Sequence, residues 1–186
     1  MTALPLQLSH LLAWHDRWAV KSHIIPLLLI YPVFPLVLFP WIGDVGDFGI
    51  LDVHLYYNAE RAYNLLKSYD AAAFANYRLC ALTVDMVYPV FYAFLISLLI
   101  ASVLRRRYTA GQSIHWLRAA PFIIMLVDWF ENLTIVRLMD QWPIFDADLA
   151  NMAGLLTFTK WSLLAVVMSL LIVVWLLSFK QSDLKS

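Results

Sequence analysis

Four side chains capable of acid, base or ion-pair chemistry sit inside long apolar runs: Asp85, Asp128, Glu131 and Lys160. At the centre of a membrane helix an ionisable group costs about 2.5–3.5 kcal/mol on insertion scales, so such groups face a bundle interior or a water-filled cavity. Asp128, Glu131, Asn132 and Ile135 fall at i, i+3, i+4 and i+7, a spacing that puts them on one helical stripe. Asp85, Tyr88, Pro89 and Tyr92 make the matching stripe on a second helix. Pro89 has no N–H to give the carbonyl of Asp85, so a free backbone oxygen is expected beside that carboxylate, and a pocket with several oxygen ligands becomes conceivable there. Three carboxylates and one ammonium leave an excess of negative charge that a low-dielectric bundle does not hold unaided. Either one or two carboxyls stay protonated near neutral pH, or a cation or cationic ligand completes the site.

The helices that must position these groups are legible in the hydropathy. Hydrophobic residues make up 62% of the 186-residue chain and charged residues 14%. An ordinary soluble domain is about half apolar and a quarter charged, so the surplus must face lipid. Spans over 24–42, 79–104, 114–139 and 154–179 each approach or exceed the roughly 20 apolar residues that cross a hydrocarbon core. With a rise of about 1.5 Å per residue, all four ionisable groups lie roughly 9–16 Å below the same end of the bundle. The expected fold is therefore all-α: one four-transmembrane-helix bundle. The first span carries Pro26, Pro32, Pro35 and Pro40 and is expected to be kinked and packed against the others.

Arg17, Lys21, Arg105, Arg106, Arg107, Arg118, Lys180 and Lys185 gather at one end, which the positive-inside rule makes cytoplasmic. Both termini then lie inside, in a plasma membrane, and the buried acids lie in the outer half. Leu8, Leu11, Leu12, His15 and Trp18 recur at helical spacing, as in an interfacial helix on the cytoplasmic face. In the first outer segment Asn58 reads as the cap of an amphipathic helix presenting Ala62, Leu65, Leu66 and Tyr69, and Asp70 as the cap of a helix running into the second span. Most of the eight Trp sit near span ends, where they read as interfacial anchors.

Several chemistries find no support. The 13 basic and 13 acidic residues balance, without the basic, aromatic-studded run of a nucleic-acid surface. Single Cys80 supports neither a disulfide framework nor a CxxC pair, and reads as a small buried residue. His10, His15 and His23 are not at i, i+4 spacing, and His54 and His115 belong to opposite ends, so no metal site is expected. No cofactor is implied, since phosphate loop, HExxH and nucleophile elbow are all missing.

The segments Asp85-Met86-Val87-Tyr88-Pro89-Val90-Phe91-Tyr92, Asp128-Trp129-Phe130-Glu131-Asn132 and Thr159-Lys160-Trp161 resemble segments of uncharacterised bacterial four-helix membrane proteins. More loosely, Asp85 with Pro89, Phe91 and Tyr92 resembles the second helix of the EXPERA group, which includes emopamil-binding sterol isomerases and sigma-2-type receptors. That likeness implies an intramembrane pocket for amines or sterol-like molecules, with carboxylates stabilising positive charge. The acid of that group's first helix has no counterpart in residues 24–42, so isomerase activity does not carry over.

The leading expectation is a pocket for a small lipophilic or cationic molecule lined by Asp85, Tyr88, Tyr92, Asp128, Glu131, Asn132 and Lys160. A membrane-embedded acid/base enzyme acting on a lipid or isoprenoid is the first alternative, and a structural subunit of a membrane complex the second. Proton relay ranks lower, because no ionisable residue is expected to continue the path through the inner half of any span.

Overall fold

The computed structural model describes residues 15–108 and 113–180. Among them the chain is wholly helical, with no strand. Stretches Lys21–Ile42, Ala71–Arg106, Ile114–Asp140 and Ala147–Leu177 are long and apolar enough to cross a membrane. Residues 43–70 cover one end of the bundle, the capped end, and Arg105 and Arg106 mark the opposite, arginine end.

The first span is a helix in pieces. Helix α1 (Lys21–Ile30) contains Pro26, a π-helical turn follows over Phe34–Leu38, and α2 (Phe39–Ile42) closes the span. Each proline removes a backbone donor and pushes its ring at the carbonyl four residues back, which is why the hydrogen-bond register slips where prolines crowd. This span is peripheral: Leu28, Leu29, Leu36, Val37 and Trp41 are exposed, and its packing is against the second span.

On the capped end, α3 (Ala59–Ser68) starts where the Asn58 carboxamide oxygen accepts from the Arg61 N–H at 3.0 Å, and it buries Ala62 and Leu66. Helix α4 (Ala71–Leu82) begins the same way, with the Asp70 carboxylate accepting from the Ala73 N–H at 2.7 Å. It does not run unbroken into the second span. At Thr83 the backbone leaves the helical region (φ −122°, ψ −84°), and α5 (Val84–Arg107) restarts with Asp85 in its first turn. Helix α6 (Ala120–Asp140) follows a 3₁₀ turn over Ser113–Ala119, with Pro121 in the first turn, where a missing N–H costs nothing. Helix α7 (Ala147–Lys180) is the longest and packs chiefly on α6.

At the capped end, close approach depends on small residues. Ala150, Ala153 and Gly154 on α7 receive the segment before α3, and a Cβ on Gly154 would collide with the carbonyl oxygen of Tyr57. Small residues at such crossings let backbones meet where lipid supplies no hydrophobic drive.

A polar cluster holds the N-terminal segment against the arginine end. His15 Nε2 lies 2.9 Å from Ser97 Oγ, the Ser97 hydroxyl donates to the Arg118 carbonyl at 2.8 Å, and Arg118 pairs with Asp16 at 2.9 Å. Burial, and then the Arg118 charge, hold the His15 imidazole below its usual range, against the opposing pull of Asp16. Residues 15–18 are helical, but Leu8, Leu11 and Leu12 of the expected interfacial helix lie outside the described residues. His15 and Asp16 thus bind the bundle, and Arg118, Ser97 and His115 are buried at this end.

Gly154→Ala is expected to lift the residue 51–58 segment from α7 and destabilise the protein by about 1–3 kcal/mol, the usual range for overpacking. Thermal unfolding in detergent measures this, and unchanged stability would show that the contact is not a close one.

Candidate functional site

The first turn of α5 meets α6 through its backbone carbonyls, and the spacing of Asp128, Glu131 and Asn132 puts one stripe of α6 at that contact. Asp85, Asp128, Glu131, Asn132 and Lys160 are all buried. Lys160 Nζ stands 2.6 Å from Glu131 Oε2 and 3.3 Å from Asp128 Oδ1, bridging two carboxylates one helical turn apart. The remaining oxygens are satisfied from α5 and from α7 itself: the Tyr92 hydroxyl donates to Asp128 Oδ2 at 2.9 Å, and the Thr157 hydroxyl to Glu131 Oε1 at 2.6 Å. A buried pair survives only with such supplementary hydrogen bonds, since desolvation otherwise outweighs the Coulombic gain.

Pro89 does free the carbonyl of Asp85, but not for a ligand. Asn132 Nδ2 donates to it at 2.8 Å, and Trp129 Nε1 donates to the neighbouring Met86 carbonyl at 2.9 Å. The expected oxygen-rich ligand pocket beside Pro89 is therefore filled by the protein's own donors. Among the described residues no group of His, Cys, Asp and Glu is arranged to hold a metal ion.

A cavity of about 350 Å³ opens beside the cluster, within the size range of small-molecule sites. Asp85, Tyr88, Tyr92, Asp128 and Lys160 line it, as do Tyr31 and Phe39 of the first span and Trp161 of α7. Glu131 and Asn132 do not: they are 0% and 1% exposed and stand behind the wall, so their part is to hold Lys160 and the α5 backbone.

The cavity also holds a carboxyl that the helical stripes did not reveal. Asp52 lies in a 3₁₀ turn, Leu51–Val53, that dips from the capping segment into the bundle mouth. Its side chain is within hydrogen-bond reach of Asp85 and accepts from the Tyr77 hydroxyl at 3.2 Å. The backbone around it is pinned: Trp161 Nε1 donates to the Asp52 carbonyl at 3.2 Å, and the Leu51 N–H donates to the Tyr77 hydroxyl oxygen at 3.2 Å. A Tyr69 hydroxyl donating to the Gly49 carbonyl at 2.6 Å adds a third tie. Burial, then the Asp52 charge, raise the Tyr69 hydroxyl above its ordinary value; at Tyr57 burial again leads in the same direction, opposed by the nearby Thr157 hydroxyl. Both stay neutral phenols that can donate. Trp129 and Trp161 are thus hydrogen-bond donors inside the bundle rather than interfacial anchors.

Lys160 has no outward-snorkelling course, being 8% exposed and spent on Asp128 and Glu131. At the capped end Arg78 pairs with Asp140 at 2.6 Å on the surface. The Cys80 thiol is free and buried, against Gly43.

An all-helical chain with four helices of membrane-spanning length and apolarity, enclosing buried charged residues, is the class that fold and site define. Comparison with known proteins found no matching family model and no significant match to a curated protein or to a solved structure.

Removing the amine from this cluster strands two buried carboxylates. Lys160→Met is expected to cost about 3–5 kcal/mol in unfolding experiments, and adding Asp128→Asn with Glu131→Gln to recover most of it. A Lys160→Met protein as stable as the parent would show that the pairing contributes nothing.

Proposed function

We propose that the protein is a multi-pass membrane protein, with its arginine end and both termini in the cytoplasm, and that its carboxylate-lined cavity binds a small lipophilic amine. One observation carries this reading: Asp52 and Asp85 stand within hydrogen-bond reach of each other in the wall of an aromatic-lined cavity, while the nearby amine, Lys160, is committed to Asp128 and Glu131. Two carboxylates at hydrogen-bond range need a positive charge between them, either a proton or the ammonium of a ligand. Tyr31, Tyr88, Tyr92 and Trp161 supply apolar surface and ring faces that suit the substituents of such a cation. The Tyr31 and Tyr88 hydroxyls, 2.7 Å apart, join the first span to α5 along the same wall.

Acid/base turnover is less well supported than binding. Glu131, which with Asp128 supplied the expected donor and acceptor pair, is walled off from the cavity and held by Thr157 and Lys160. For orientation, the support is the charge of the arginine end: Lys21, Arg105 and Arg106 are exposed there. Labelling of single cysteines from outside intact cells should reach residue 47 and not residue 106; the reverse pattern would invert the topology.

In nanodiscs, a hydrophobic tertiary amine is expected to bind, while its neutral carbon isostere is not. Asp85→Asn and Asp52→Asn should each weaken amine binding at least about tenfold, equivalent to about 1.4 kcal/mol. Equal affinity of amine and isostere, or unchanged binding in both variants, would remove the reading.

A further inference from the structure

A second, larger cavity of about 540 Å³ lies nearer the arginine end, between the start of the first span and α5. Its walls are Pro26 and Leu27 on one side and Val87, Val90, Phe94 and Leu98 on the other, with no carboxyl among the lining residues. It offers no carboxylate to an amine of the kind proposed for the first cavity. In a bilayer a groove of this kind between two helices is filled by hydrocarbon.

The mouth of the groove is cationic. His15, Trp18, Ser22 and His23 line it, and exposed Arg17 and Lys21 lie beside them in the chain. Arg105 reaches the same place from α5, donating from Nη1 to the Asp16 carbonyl at 3.3 Å. The acid in this neighbourhood, Asp16, has its carboxylate committed to Arg118 at 2.9 Å. Exposed positive charge therefore stands over an apolar slot, and each basic group near a membrane surface favours anionic lipid.

We propose that this groove holds one anionic phospholipid, an acyl chain lying between Leu27 and Val90 and the phosphate at Lys21 and Arg105. Charge complementarity at the mouth selects the headgroup, and the apolar walls hold the chain. The slot lies beside the direct packing of Ile24 and Leu27 on Leu95 and Leu98, so the lipid chain extends the contact between α1 and α5.

Native mass spectrometry of the full-length protein, equilibrated with equimolar phosphatidylglycerol and phosphatidylcholine of identical chains, tests this. Phosphatidylglycerol is expected to be retained at a single site with a preference of roughly fivefold or more. Lys21→Gln, alone or with Arg105→Gln, should bring the preference toward parity while a lipid remains bound. Val90→Trp, or Leu27→Trp on the peripheral span if the first variant does not fold, should expel the retained lipid of either class. Equal retention of the two lipids by the parent protein, or retention unchanged by the groove-filling variants, would overturn the proposal.

Discussion

Lys160 set between Asp128 and Glu131 is the interaction on which the packing of the bundle rests. Each of these groups alone in a hydrocarbon layer costs several kcal/mol, so the low-energy arrangement is the one in which α6 and α7 bring them together. Once that contact forms, the rotation of both helices is fixed: Tyr92 must come from α5 to satisfy Asp128, and Thr157 from α7 to satisfy Glu131. Hydrophobic matching discriminates poorly between helix rotations in lipid, because every apolar face is equally content there. A buried ion pair with directional partners supplies the missing specificity.

The backbone around this cluster is irregular in the places where the site needs room. Prolines in the first span and at Pro89 loosen the helical ladder; the carbonyl freed at residue 85 is taken up by Asn132 rather than left bare, and the Met86 carbonyl accepts from Trp129 beside it. Irregular backbone at membrane depth persists only with such replacement partners. On the other side, the Gly154 notch and the hydrogen bonds from Tyr69, Tyr77 and Trp161 bring the capping segment down until Asp52 meets Asp85. The carboxyl pair is thus a product of the cap and the bundle together, and neither contains it alone.

That division explains what could be read from residues and what could not. Membrane-length apolar runs and the i, i+3, i+4 stripe of Asp128, Glu131 and Asn132 are local periodic signals, and they found both the helices and their charged face. Asp52 carries no such signal: it sits among Gly46, Gly49 and short 3₁₀ turns, where nothing in the spacing says which acid returns to the membrane. Glu131 and Asn132 have the same spacing signature as a cavity-lining residue, yet stand one layer behind it, a distinction that only packing makes. The polar cluster of His15, Ser97 and Arg118 was missed for a related reason, since its members come from three separate segments with no shared period.

The most direct test of the account is a dipolar-recoupling NMR distance between the Lys160 ammonium nitrogen and the Glu131 carboxyl carbon, with the protein in lipid bilayers. An amine in contact with the carboxylate, at the 2.6 Å N···O separation of the structure, gives strong dephasing that Glu131→Gln weakens. Absence of dephasing in the folded parent protein would mean that α6 and α7 present other faces to each other, and the cavity built on their meeting would go with it.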